Sequence, residues 1–171
     1  DSDIKANAER AAYTATKTLR KVQRKVGFPD RIRLRGDRMK ERKTVVCFGD
    51  SNTFGHNPKD GTRLPWGVRW TSLVQEALKE EVYVVEEGLC SRTTVWDDPV
   101  EGVMSGISYL EPCLSTHRPV HILVLMLGTN DLKPRFGLSA YDIARGNVRL
   151  IQTARQSLLR KQGFEPQILL I

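Results

Sequence analysis

Long apolar runs are missing from this 171-residue chain, and no stretch has the length needed to cross a bilayer as a helix. Nothing at its start has the form of a secretory signal. The first residue is Asp1 rather than Met, which leaves a removed targeting segment open. Cysteine is scarce: Cys47, Cys90 and Cys113 make an odd number with no C-x-x-C pair. That argues against a disulfide framework and against a structural zinc site, and points to buried thiols in a reducing, intracellular setting, an organelle included. No Walker A loop and no G-x-G-x-x-G follows any predicted strand, so nucleotide binding has no motif behind it. The G-x-S-x-G elbow of ordinary α/β-hydrolases is absent as well. So are internal repeats and low-complexity tracts.

Charge is present but unevenly spread. Residues 1–43 hold 14 Lys and Arg against 6 Asp and Glu, while the remainder hold 13 against 14. The whole excess of +7 therefore belongs to the leading segment. Within it Ile4, Ala8, Ala11, Ala15, Leu19, Val22 and Val26 recur at steps of three and four, which predicts an amphipathic helix stopped by Gly27-Phe28-Pro29. Residues 30–43 read as a linker. The division expected is a basic helical extension over 1–43 and a globular domain over 44–171.

From residue 44 the pattern alternates. Thr44–Phe48, Val82–Val85, Val120–Leu127 and Gln167–Ile171 read as buried strands. Helical spacing covers Val68–Leu78, residues 101–115 and Ser139–Lys161. For the last of these, Ser139 and Asp142 stand at capping-box spacing and Gly163 suits the C-terminal cap. Alternating strands and helices predict right-handed crossovers and a parallel sheet covered on both faces. Function in such sheets gathers beyond the carboxyl ends of the strands. Three of those ends carry small and polar residues: Gly49-Asp50-Ser51-Asn52, Glu87-Gly88 and Gly128-Thr129-Asn130-Asp131. A serine just past a buried strand presents its hydroxyl at the rim. A glycine allows close approach of a substrate to backbone N–H, and an asparagine offers an amide donor. Donors aimed at developing negative charge are the largest usual contribution to acyl transfer. Each of these segments alone is equally well explained by turn chemistry.

Taken together their wording is more specific. Cys47-Phe48-Gly49-Asp50-Ser51-Asn52-Thr53-Phe54-Gly55 resembles the first block of the GDSL, or SGNH, hydrolase family. Gly88 falls at the position of its second block, and Gly128-Thr129-Asn130-Asp131 looks like its third. Arg69-Trp70-Thr71, Glu86 to Thr94 and Asp97-Asp98-Pro99 are similar to its arylesterase and acyltransferase branch. The resemblance covers residues 44–171 and leaves 1–43 unmatched. It implies a three-layer, flavodoxin-like α/β fold, with Ser51 as nucleophile. The Ser51 N–H, Gly88 N–H and Asn130 side chain would form an oxyanion hole, and Asp50 would brace the loop. The substrate implied is a small carboxylic ester, with no metal or organic cofactor.

The departure from the family lies in the base. No Asp is followed three positions later by His, the pattern that supplies the family's base. His56 follows the nucleophile block, whereas His117 and His121 are expected at the opposite end of the third strand. A serine hydroxyl without a base is a weak nucleophile. The expectation is therefore a C-terminally incomplete domain, inactive alone, whose last strand offers an open edge to a protein partner. A second reading is a non-catalytic subunit, docked in an organellar or membrane assembly through the basic arm. That arm suits contact with protein, RNA or anionic lipid. Trp66 and Trp96 are expected in loops able to line an acyl pocket, Trp70 in the core, and Asp97 and Asp98 in a solvated helix-entry segment.

Overall fold

The computed structural model describes Lys17 and residues 42–171. The helix expected over 3–26 and the linker over 30–43 thus lie outside the described residues, apart from Lys17 and residues 42–43. Four strands form one parallel sheet: β1 (Lys43–Gly49), β2 (Val82–Gly88), β3 (Ile122–Met126) and β4 (Gln167–Leu170). Their spatial order is β2-β1-β3-β4, so the chain reverses its winding direction between β1 and β3. The crevice beyond that point is where open α/β sheets place ligands.

Alternation along β1 sends successive side chains to opposite faces. Val45 and Cys47 pack with Val84, Val124 and Leu169 against helix α2 (Trp70–Ala77), through Trp70 and Val74. Val46 and Phe48 pack with Leu123 and Leu125 against α3 (Gly106–Thr116) and α4 (Ala140–Gln162), through Leu110, Leu114, Leu150, Ala154 and Leu158. The result is three layers, an α/β fold as expected. Each fully buried Leu or Val here stabilises by about 1.5–3 kcal/mol relative to an exposed one. Among the described residues no helix is long and apolar enough to cross a membrane.

α4 follows its sequence closely. The Ser139 side chain accepts from Asp142 N–H while the Asp142 carboxylate accepts from Ser139 N–H, and Gly163 closes the other end at φ 83°. The helix expected over 101–115 starts only at Gly106. Asp98 is the reason. It is 2% exposed, and its carboxylate accepts the backbone N–H groups of Val100 (2.9 Å) and Glu101 (3.1 Å). It also pairs with Arg135 at 2.7 Å and Lys133 at 3.4 Å. Residues 98–102 are held as a tight turn, and Val103 is left 76% exposed rather than on a helix face. Asp98 is thus a buried anchor and not part of a solvated segment. Burial alone would raise its pKa, but Arg135 and the two N–H groups outweigh that and hold the carboxyl well below the usual range.

Candidate active site at the strand ends

The carboxyl ends of β1, β2 and β3 lie side by side, with Gly49 opposite Gly88 on one flank and Met126 on the other. Asp50 ends the strand and caps the single turn α1 (Ser51–Phe54), its Oδ1 accepting Asn52 N–H at 2.9 Å and the Asn52 side-chain amide at 3.0 Å. Ser51 is therefore the first residue of that turn, half-buried at the rim. Its carbonyl receives the N–H groups of Gly55 (2.9 Å) and His56 (3.0 Å). Asp50 is 1% exposed, and desolvation raises its pKa despite the bonds from Asn52.

Gly88 sits directly on α1. A Cβ there would overlap the Phe54 N and Cα, so only glycine lets the end of β2 approach this closely. Pairing continues one residue past the strand, with Leu89 N–H donating to the Gly49 carbonyl at 3.1 Å. Beyond β3 the chain turns through Gly128 at φ 125° into a short 3₁₀ turn, Asn130–Leu132. Asn130 donates one amide hydrogen to the Arg92 carbonyl at 3.1 Å. Asp131, fully buried, accepts Thr94 N–H on both carboxylate oxygens, at 3.1 and 3.0 Å, and the Thr94 hydroxyl as well. Ser51, Gly88 and Asn130 thus belong to one rim, with Gly88 against the Ser51 turn and Asn130 tied to the segment that follows Gly88.

The other singled-out residues divide. Trp70 is 5% exposed in the core, whereas Trp66 and Trp96 are 57% and 39% exposed in rim loops. Arg69, Thr71 and Glu86 converge: Arg69 donates to both Glu86 oxygens (3.1 and 2.9 Å), the Thr71 hydroxyl donates to the same carboxylate, and Arg69 also holds the Leu64 carbonyl. This fastens the loop after α1 to the end of β2. His121 lies at the amino end of the sheet, its Nδ1 accepting Thr44 N–H at 3.0 Å. His117 closes α3 ahead of β3. Its ring reaches Glu87, the residue before Gly88, at 2.7 Å. His56 is exposed beside Arg63.

Glu87, Cys113 and His117 bring one ligand atom each to within 4.8 Å of one another and form a set with the chemistry to hold a metal ion. Cys113 and His117 are one helical turn apart, but Glu87 comes from another element, so spacing alone did not reveal the group. Burial and the Glu87 charge push the Cys113 thiol up to about 12. Arg92 already places a positive charge beside both Glu87 and Cys113. Arg92 itself, buried at 3% exposure, is the main residue of the rim to which sequence reasoning assigned no role. The signal was an Arg among small polar residues between a strand and a helix.

A parallel sheet whose serine, glycine and asparagine meet at one rim defines a class, and comparison identifies it. The model of the GDSL-like lipase/acylhydrolase family matches residues 47–168. The chain belongs to that family. The structure is similar to the aryl esterase of M. smegmatis, with TM-score 0.70 and 40% identity over 75% of this chain and 62% of that one. It is also similar to Est24, a carbohydrate acetylesterase from Sinorhizobium meliloti, with TM-score 0.71 and 35% identity over 75% of this chain and 63% of that one. AlinE4, an SGNH-hydrolase family esterase, shares the fold at 20% identity and TM-score 0.54. No curated protein matches the sequence. The chain spans 62–63% of the length of the first two structures.

Proposed function

We propose that residues 44–171 carry the nucleophile and oxyanion donors of a serine esterase acting on small carboxylic esters. The Ser51 oxygen attacks the ester carbonyl carbon, and the negative charge moves to the carbonyl oxygen. The Ser51 N–H, the Gly88 N–H and the Asn130 amide hydrogen not given to Arg92 stabilise that charge. Collapse expels the alcohol, which takes a proton, and leaves an acyl group on Ser51. Water, or a second alcohol in acyl transfer, then removes it. No cofactor enters this scheme. The relatives' names, aryl esterase and carbohydrate acetylesterase, support small acyl groups. The exposed Trp66, Trp96 and Leu89 beside the rim suit an apolar or aromatic alcohol portion.

The observation that carries the reading is the meeting of Gly88 with the Ser51 turn, through a contact only glycine permits. His121 Nδ1 accepts Thr44 N–H at the opposite end of the sheet, and the His117 ring is bonded to Glu87 rather than to Ser51. The family resemblance calls for an Asp–His pair as the proton acceptor, and the 171 residues hold no Asp-x-x-His pattern. Without that base, turnover falls on the order of 10⁶-fold. The test uses the full-length natural protein and p-nitrophenyl acetate. Ser51→Ala should lower kcat by a comparable factor with the fold intact, and an organophosphate, losing its leaving group, should add its phosphoryl group to the Ser51 peptide. Equal hydrolysis by the Ala variant sinks the proposal.

A further inference from the structure

We infer that Arg92 is a positioning residue that orients two of the oxyanion donors at once, one through its side chain and one through its main chain. This rests on the function proposed above. The Arg92 Nη1 donates to the Gly49 carbonyl at 3.0 Å and to the Glu87 carbonyl. The Glu87 carbonyl and the Gly88 N–H are two edges of one planar peptide unit. Gripping the oxygen therefore sets the direction in which the Gly88 N–H points. A cationic donor on that oxygen also polarises the unit and strengthens the N–H opposite. At its other end, the Arg92 carbonyl accepts one hydrogen of the Asn130 amide at 3.1 Å. That amide is planar too, so its second hydrogen acquires a fixed heading. The Gly49 carbonyl precedes Asp50 and the Ser51 turn, so all three rim segments meet at this residue.

The placement is a costly one for stability alone. Arg92 is 3% exposed, and desolvation lowers its pKa. Its guanidinium carbon lies 4.2 Å from the Phe48 ring centroid and 5.5 Å from that of Tyr109, which confines it to one orientation. Apolar side chains of similar volume commonly stabilise such a position as well or better. What they lack is a donor aimed at the Glu87 carbonyl.

The test compares Arg92→Met, which fills the space without a donor, with Arg92→Lys, which keeps one cationic donor. Both are made in the full-length natural protein, with active sites titrated by an organophosphate. For Arg92→Met, kcat per titrated site should fall about 100-fold or more, with KM changed less than about threefold, because the donors act on charge present only in the transition state. Arg92→Lys should recover at least about tenfold of that loss. A merely structural role would lower the melting temperature and the number of titratable sites but leave kcat per site unchanged, and that result overturns the inference. Should both variants fail to fold, the natural protein decides. The Arg92 guanidinium and Gly88 amide NMR signals should shift together when Ser51 is phosphorylated by the organophosphate, and an unmoved Arg92 signal refutes the role. An active Ser51→Ala variant defeats the esterase reading itself. An inactive one beside a fully active Arg92→Met defeats only the role of Arg92.

Discussion

Across the middle of the sheet the buried residues are Val46, Phe48, Leu123, Leu125, Leu150 and Leu158, all apolar and closed from solvent. Past the ends of β1, β2 and β3 the buried residues are Asp50, Thr53, Arg92, Thr93, Thr94 and Asp131. The first region is held by non-directional burial, the second by hydrogen bonds with defined partners. Burying a polar group without a partner costs about 2–7 kcal/mol, so a region of this kind gains little stability even when every bond is made. What it gains is orientation. The slab makes the fold stable, and the rim places particular donors at particular angles.

The largest effect on stability should come from the slab. Leu123→Ala removes a fully buried side chain between β3 and the helices, and should cost about 2–5 kcal/mol in chemical denaturation. Activity per folded molecule of the full-length protein should stay near normal. A large drop in that ratio would show that the two regions are mechanically inseparable. Gly88→Ala should invert the pattern. Its Cβ must push α1 away, at about 1–3 kcal/mol, yet activity should fall by at least about tenfold, because the donor and Ser51 separate. An active Gly88→Ala protein would break the distinction between slab and rim.

Acid should then loosen the rim before the slab. The Glu101 carboxyl, hydrogen-bonded by Lys133, Ser91 and Arg135, is lowered from 4.5 to about 2, and Asp98 is lowered as well. For groups with depressed pKa the stabilisation is present above the unfolded value and is lost as pH falls toward the folded one. The amide protection factors of residues 98–102, corrected for intrinsic exchange, should therefore fall between about pH 4.5 and 2. Glu101→Gln should flatten that dependence, and an unchanged profile would remove the carboxylate from this account. The smallest effect is expected at Asp50, and with opposite sign. Desolvation raises its pKa, so the folded state favours the protonated form, and its contribution is greatest below 3.8 and declines as pH rises through the folded value. Asp50→Asn keeps the capping acceptor and removes the charge. Its melting temperature should exceed that of the natural protein slightly at neutral pH and match it below pH 3.8.

Much of this was legible in one dimension. Runs such as Val45-Val46-Cys47-Phe48 name their strand because both faces are covered, and three of the four runs end in residues that mark the rim. The Ser139–Asp142 capping box and Gly163 delimit α4 because caps are local. Gly49, Gly88 and Asn130 could be singled out because their types suit the rim, and their agreement with a family's blocks narrowed the choice. The start of α3 was misplaced because Asp98 is fixed by Arg135 and Lys133, which lie more than thirty residues away.

The sequence by itself therefore determined the alternation of strands and helices, the strand ends and the residue types standing there, since propensity, period and capping act over a few neighbouring residues. Only the tertiary structure decided that Arg92 would serve Gly49, Glu87 and Asn130 together, that Glu87 would engage His117, and that Asp98 would be buried. Those outcomes depend on which distant segments a parallel sheet sets side by side, and the directional bonds that follow have no counterpart in local spacing.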